Sequence, residues 1–257
     1  MPLRRTDILL LAGEGASSNI VYQHLAKRFG PFPVVCEKPV AKSKMLKVRI
    51  HKIGLPRVVS QLAFMTLVRP VLAYTSRKRV AEICDQFKLD TSSIEPEVLT
   101  RVESVNSQEA RDCISRFSPR VIIVNGTRII GAKTLSSSAA QFINTHAGIT
   151  PQYRGSHGGY WARYNNEPRL SGVTIHLVDQ GIDTGDALAQ AEISPTPHDN
   201  FVTYPYLQLA AGLSALERCV AEALDHRLEG ASSQGVSNVW YHPGIFQYIH
   251  GRLRGIK

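Results

Sequence analysis

Four cysteines, Cys36, Cys84, Cys113 and Cys219, are all that 257 residues contain, and none stands in a Cys-x-x-Cys pair or at a Cys/His ligand spacing. That excludes a disulfide framework and a zinc module, and the four read as reduced core residues of a cytoplasmic protein without a metal. Long hydrophobic runs are missing too. The N-terminal run, Ile8 to Gly13, has six residues, too few for the apolar region of a secretory signal. The longest, Val58 to Val68, is closed by Arg57 and Arg69, and eleven residues fall short of a bilayer span. There are no internal repeats and no low-complexity tract. With 43% hydrophobic and 20% charged residues, a collagen-like, coiled-coil or wholly disordered chain is excluded. One large domain or two small ones remain.

The absence with most content is of acid. Between Ala41 and Ala81 there is no Asp or Glu, while Lys42, Lys44, Lys47, Arg49, Lys52, Arg57, Arg69, Arg77, Lys78 and Arg79 are basic. The formal charge of +9 belongs to this segment, because the rest of the chain carries 20 basic residues against 21 acidic. A reading as a nucleic-acid binder would therefore have to stand on the segment alone, and no nucleic-acid partner is expected. Ile53 to Tyr74 mixes Leu55, Val58, Val59, Leu62, Phe64, Met65, Leu67 and Val68 with flanking Arg, the composition of an amphipathic helix. Three uses stay open: a solvated insertion packed on the core, an anionic-substrate site that includes Arg77, Lys78 and Arg79, and contact with anionic lipid.

Elsewhere strands and helices alternate. Ile8 to Ala12, Phe32 to Cys36, Val121 to Val124, Phe142 to His146 and Gly172 to Val178 read as strands. Ile20 to Phe29, Gln108 to Phe117, Gly158 to Asn166 and Tyr206 to Leu228 read as helices. This is an α/β chain: a Rossmann-like, mainly parallel sheet flanked by helices, with a basic helical insertion (41–81) after the second strand and a short C-terminal helix plus tail. Residues 1–197 form the expected core, and 198–257 the helix and tail packed on it. Sites are expected at the carboxyl ends of the strands.

Gly13-Glu14-Gly15-Ala16-Ser17-Ser18-Asn19 joins the first strand to the first helix, where backbone amides and the helix dipole favour an anion. As a nicotinamide fingerprint it is poor. Ser18 stands at the third glycine, and the only acid near the end of a second strand is Glu37, followed by Lys38-Pro39. A tight turn closing the first β-α unit is the simpler reading.

In Phe142-Ile143-Asn144-Thr145-His146 the alternation of a strand presents Asn144 and His146 on one face at the carboxyl end. Downstream, the strand Gly172 to Val178 runs into Asp179-Gln180-Gly181-Ile182-Asp183-Thr184-Gly185-Asp186. An amide donor, an imidazole and a carboxylate at neighbouring strand ends are what acyl transfer needs to hold an oxyanion and move a proton. Asp179 and Asp186 read as solvated or loop-capping, His176 as a half-buried structural residue. His157 either reaches an acceptor, caps a helix or stands exposed.

NTHAGITPQYRG and GVTIHLVDQGIDTGDAL together resemble the catalytic core of the 10-formyltetrahydrofolate-dependent formyltransferases, over roughly residues 105 to 195, with GEGASSN as a weaker match. Where that family often has Ser two residues after the His, this chain has Gly148. The resemblance implies that Asn144 and His146 hold the formyl oxygen, and that Asp183 keeps His146 oriented and protonated and helps to shuttle the amine proton. It places the pterin of 10-formyltetrahydrofolate against Asn125, Gly126, Thr127, Arg128, Ile129 and Ile130 and against Gly181 and Ile182. Of the acceptors in the family, methionyl-tRNA is set aside on the expectation that about 60 residues after Pro197 cannot form a further barrel-like domain. Glycinamide ribonucleotide is set aside because its enzymes lack a long basic insertion. A nucleotide-linked amino sugar, such as a GDP- or dTDP-4-amino-dideoxy sugar used for O-antigen or lipopolysaccharide, becomes the leading acceptor. Its contacts would fall on Gly13, Gly15, Ser17, Ser18, Tyr153, Arg154 and His157 besides the basic trio. The expected enzyme is cytoplasmic, with a peripheral contact at the inner face of the membrane as a second expectation and a homodimer as one outcome of an open oligomeric state. A folate-binding protein without catalysis is the alternative of another class.

Overall fold

The computed structural model describes residues 5–40, 46, 49–51, 53–232 and 235–257. Lys42, Lys44, Lys47 and Lys52 of the basic segment lie outside them.

Strand β1 (Ile8–Gly13) is buried along its whole length, as a run of six apolar and small residues requires of a central parallel strand. It pairs in parallel with β2 (Val34–Glu37) and β4 (Val121–Asn125), and beyond these stand β3 (Leu99–Val102) and β5 (Gln141–His146), also parallel. A seven-stranded sheet in the order β3-β2-β1-β4-β5-β7-β8 results. The last two strands, β7 (Gly172–Leu177) and β8 (Ala187–Glu192), make antiparallel pairs, β7 with β5 and β8 with β7. The mainly parallel Rossmann-like sheet is therefore present. Antiparallel β7 brings its C-terminal half against β5, so that His176 is opposite Asn144 and Thr174 opposite His146.

Two apolar layers cover the sheet. On one face Leu9, Leu11, Ile122 and Val124 meet Cys113 and Ile114 of helix α4 (Gln108–Phe117). On the other, Ile8, Leu10, Ile123 and Ile143 join a larger core with Ile20 and Leu25 of α1 (Ala16–Phe29) and Leu213, Leu216 and Val220 of a helix at Tyr204–Leu224.

The insertion continues as α2, one uninterrupted helix over Leu55–Thr75 with a π turn at Phe64–Val68, and then α3 (Arg77–Gln86). By length and composition α2 is sufficient to cross a membrane, unlike the eleven-residue run inside it. Its inner side is nevertheless fixed to the protein by Val58, Gln61 and Phe64. Helices α5 (Ala132–Leu135), α6 (Gly158–Tyr164), α7 (the Tyr204–Leu224 helix) and α8 (Ile245–Leu253) complete the fold. A two-strand pair, β6 (Arg154–Gly155) with β9 (Val239–Trp240), ties the C-terminal tail beside the site.

Candidate active site

The carboxyl ends of β4, β5 and β7 open into a cleft of about 840 Å³. Asn144 and His146 enter it from β5 and Asp183 from the loop after β7, where it holds a left-handed backbone (φ 51°). That conformation is uncommon but tolerated by Asp. It is secured on both sides: the Gly155 N–H donates to Asp183 Oδ2 at 2.9 Å, and the Arg154 guanidinium donates to the Ile182 carbonyl at 2.8 Å.

His146 is buried with both ring nitrogens committed. Nε2 lies 2.7 Å from the Tyr153 carbonyl, which only accepts, so Nε2 carries hydrogen. Nδ1 faces Asp183 Oδ2 at 3.3 Å. Burial pushes the imidazole below its ordinary value, against the opposing pull of Asp183 and the Tyr153 carbonyl. The ring is thus a neutral base whose free nitrogen faces a carboxylate, ready for a proton to sit between them. For Asp183 itself burial works upward, but the His176 ring, the attraction of a proton on His146 and the Gly155 amide outweigh it and hold the carboxyl below its ordinary value.

His176 belongs to this constellation, although its apolar neighbours suggest a structural residue. Its Nδ1 is 2.7 Å from the Leu177 carbonyl and therefore carries hydrogen, which leaves Nε2 to accept from Asn144 Nδ2 at 3.0 Å. The second Asn144 amide hydrogen reaches Asp183 Oδ1 only at 3.4 Å. That weaker bond is the one a ligand oxygen can replace. The sequence signal for His176 was available only through register, since it needs β7 to run antiparallel to β5.

Gly148 has a specific part. A Cβ there would collide with the Tyr153 carbonyl oxygen and lie 2.7 Å from His146 Nε2. In this chain that carbonyl occupies the space a serine would need, and it supplies the partner for His146.

Of the residues expected to hold the pterin, Gly126, Thr127, Arg128, Ile129, Ile130, Gly181 and Ile182 line the cleft. Asn125 turns away, its amide donating to Ser17 Oγ at 3.2 Å and Ser18 Oγ at 3.1 Å. Ser18 in turn donates to the Gly13 carbonyl at 2.6 Å, and a Cβ on Gly13 would collide with Gly126. Gly13, Ser17 and Ser18 therefore lie behind the 126–130 loop as its support, Gly15 is exposed, and none of the four lines the cleft. Buried Glu37 plays the same part from β2: it accepts from the Arg128 and Val105 amides at 2.6 and 3.0 Å and pairs with the Arg128 side chain.

Tyr153 is buried, its hydroxyl donating to Glu167 and its ring stacked on Trp240 at 5.6 Å. Arg154 is spent on the Ile182 carbonyl. His157 is neither exposed nor a side-chain cap; it meets His242 in a second, smaller pocket. Asp179 caps its own loop, accepting from Thr184 Oγ1 and the Gly181 amide. Arg77, Lys78 and Arg79 are absent from the cleft wall: Arg79 makes a two-pronged pair with Asp199 at 2.8 and 3.1 Å, Arg77 lies over Tyr74, and Lys78 is exposed. Among the described residues of the insertion, Arg49 and Ile53 reach the cleft, which Trp240 and Tyr241 of the tail also line. Among the described residues no cluster of His, Cys, Asp or Glu is arranged to hold a metal.

Comparison with known proteins gives the same region. The pattern of the formyl transferase family fits residues 61–210. A methionyl-tRNA formyltransferase of Koribacter versatilis is 39% identical over 103 residues, 39% of this chain and 33% of the relative. The chain thus spans about a third of the length of that curated relative. In three dimensions, a sugar N-formyltransferase from Shewanella sp. superposes with a TM-score of 0.58 at 15% identity, over 91% of this chain and 76% of that one. An N-formyltransferase from Helicobacter canadensis, in complex with folinic acid and dTDP-3-aminofucose, does so with a TM-score of 0.51 at 16% identity, over 90% and 70%. At such identities the likeness is one of fold.

Proposed function

Because the chain belongs to the formyl transferase family, we propose that it is an N-formyltransferase taking the formyl group of 10-formyltetrahydrofolate to the amine of a nucleotide-linked amino sugar. The observation that carries the reaction is the meeting of Asn144, His146 and Asp183 in one cleft, with one Asn144 N–H held only weakly and one His146 nitrogen free.

The donor supplies an activated one-carbon unit. The cleft suits it: Val124, Ile130, Val178 and Ile182 offer apolar walls to a flat ring, and the 126–130 and 181–182 backbones offer polar edges. Asn144 Nδ2–H is placed to donate to the formyl oxygen, where charge develops as an amine attacks. His146 Nδ1, backed by Asp183, receives the proton the amine loses and returns it to N10 of the folate as the bond from N10 to the formyl carbon breaks and tetrahydrofolate leaves. His176 fixes the Asn144 amide so that it presents N–H and not C=O. Tyr241, exposed at the same cleft beside Trp240, is an aromatic face suited to a nucleotide base. The Helicobacter canadensis neighbour, bound to both a folate and a dTDP-amino sugar, supports this pairing of ligands. A nucleotide-linked amino sugar suits surface-polysaccharide synthesis in the cytoplasm, O-antigen and lipopolysaccharide included.

Methionyl-tRNA is the second reading, supported by the 39% identity to the Koribacter versatilis enzyme. Incubation with 10-formyltetrahydrofolate and a panel of dTDP-, GDP- and UDP-linked amino sugars, glycinamide ribonucleotide and methionyl-tRNA, with release of tetrahydrofolate followed, separates them. Turnover with a nucleotide sugar alone is expected. Turnover with methionyl-tRNA alone moves the acceptor to the second reading, and no release with any acceptor overturns formyl transfer.

A further inference from the structure

The outer side of α2 is apolar and exposed along its whole length. Leu55, Val59 and Leu62 follow the spacing i, i+4, i+7, and Leu67, Val71 and Tyr74 repeat it 12 residues later; all six are exposed. In an unbroken α-helix a 12-residue offset would turn the second triplet away by about 120°. The π turn at Phe64–Val68 takes up one additional residue and cancels about 100° of that rotation, so both triplets share one face. Pro70 accounts for the device, since its ring would clash with the carbonyl four residues earlier in a regular helix.

Helix α8 packs beside α2, with Tyr248 against Phe64 at 5.0 Å between ring centroids. It bears a second stripe at i, i+3, i+7: Phe246, Ile249 and Leu253, exposed to 76%, 48% and 83%. A groove between the helices is lined by Leu67, Val71, Tyr248 and Arg252, with Lys257 at its end. Monomeric proteins seldom leave so many large aliphatic side chains on one surface without a use.

The charge on the stretches that carry the two stripes has one sign, the next acid along the chain being Glu82, 4.0 Å from Lys78. Residues 41–81 contain no acid, and neither do residues 230–257, which hold Arg252, Arg254 and Lys257. The two acid-free stretches meet in the α2–α8 pair. Arg77 lies over the ring of Tyr74 at the end of the α2 stripe, and Lys78 beside it is 91% exposed.

We propose that this face is a docking surface for an anionic phospholipid bilayer, with α2 and α8 lying in the interface and Arg77, Lys78, Arg252 and Lys257 on the headgroups. Aliphatic stripes rimmed by cations are the composition that seats a helix at such a surface. A second copy of the chain is a poorer occupant, because a two-fold contact would set the same cations against each other. RNA is poorer still, because seven of the nine stripe side chains are aliphatic and offer it neither hydrogen bonds nor stacking. Helix α2 lies on the bilayer and does not cross it, since Val58, Gln61 and Phe64 hold its inner side in the protein.

Co-sedimentation of the full chain with vesicles tests this. The protein is expected to pellet with phosphatidylcholine vesicles containing 30% phosphatidylglycerol, to pellet at least tenfold less with phosphatidylcholine alone, and to be released by 0.5 M NaCl. The variant Leu67→Gln/Val71→Gln/Phe246→Gln/Leu253→Gln changes only exposed side chains. It should lose at least tenfold in vesicle partition while keeping its circular dichroism melt and its turnover of a soluble acceptor. A second variant, Arg77→Gln/Lys78→Gln/Arg252→Gln, should lose the preference for phosphatidylglycerol. Failure of the unaltered protein to pellet with anionic vesicles overturns the proposal, as does equal pelleting by the four-residue variant. So does a dimer or an RNA complex abolished by that variant in the absence of vesicle binding. None of these readouts depends on which acceptor the cleft takes.

Discussion

His146 has a defined proton inventory, and the inventory predicts its pH behaviour. Nε2–H is fixed on the Tyr153 carbonyl, so titration takes place at Nδ1, beside Asp183. The active form is the one with Nδ1 free. Burial lowers the imidazole below its ordinary 6.5, so the midpoint of the acid limb of kcat/KM should lie below that value. A limb centred above 6.5 would show that Asp183 dominates and that the ring works as a cation. His146→Ala should lower kcat by about 10²–10⁴-fold, the range of a lost general base, with the melting temperature little changed. Asp183→Asn should be nearly as severe, because an amide cannot stabilise the imidazolium. Gly148→Ser is the sharper geometric test. Its Cβ must displace the Tyr153 carbonyl, and a displacement of about 1 Å costs on the order of 10²-fold in rate. The acid limb should move with it, since His146 loses the acceptor that fixes Nε2–H. An unaltered pH profile in Gly148→Ser would mean that the carbonyl does not set the tautomer.

At the level of elements, the insertion is held to the core by a buried ion pair as well as by its apolar side. Asp199 has its side chain 1% exposed and accepts from Arg79 and from the Thr196 amide and hydroxyl. Burial alone would raise its carboxyl, and the Arg79 bonds bring it below the ordinary value. Arg79→Ala leaves that carboxylate without its cation, so a loss of about 3 kcal/mol in stability is expected, with acceptor KM unchanged. A raised KM at undiminished stability would return Arg79 to the substrate. Arg79 reads as a surface cation in the sequence because its partner lies 120 residues away. Signals local in sequence fared better. Gln108–Phe117 is the helix its periodicity describes, and the Asn144, His146 and Asp183 set meets as its motifs indicate. Strand β8, ALAQAE, escaped notice because an alanine-rich stretch with one half-buried side lacks the apolar alternation of a strand. Helix α1 begins at Ala16, four residues before its first large apolar side chain, since the polar turn Ala-Ser-Ser-Asn carries no periodicity. The direction of β7 left no trace either. Strand direction is a property of the connections, and Gly172–Leu177 is nearly as buried as the central parallel strands β1 and β4.

Across the whole molecule, the catalytic loop, the insertion and the tail are joined at one buried point that responds to protons. His157 Nε2 and His242 Nδ1 are 2.8 Å apart, with one hydrogen serving both nitrogens. The His157 ring lies on Phe201 at 4.2 Å, and Gln61 of α2 donates to the His242 carbonyl at 2.7 Å. The charged groups that face the pair are Arg69 toward both rings and Arg49 toward His242. Burial first, and then these cations, push His242 down to about 4 and His157 well below its ordinary value. The unfolded chain, with imidazoles near 6.5, binds protons that the folded chain refuses, so stability rises with pH across this window. It is complete above about 6.5 and is lost progressively as pH falls toward 4. The His242 contribution alone should make the protein on the order of 2 kcal/mol less stable at pH 5 than at pH 8, or roughly 5 °C in melting temperature. In His242→Gln, which accepts and donates without titrating, the slope of melting temperature between pH 5 and 7 should flatten. A slope equal to that of the unaltered protein would place the acid sensitivity elsewhere. Because β9 and Tyr241 lie immediately before His242, acid should release the tail from the cleft ahead of global unfolding, visible as a rise in Trp240 solvent exposure while the far-ultraviolet signal is retained.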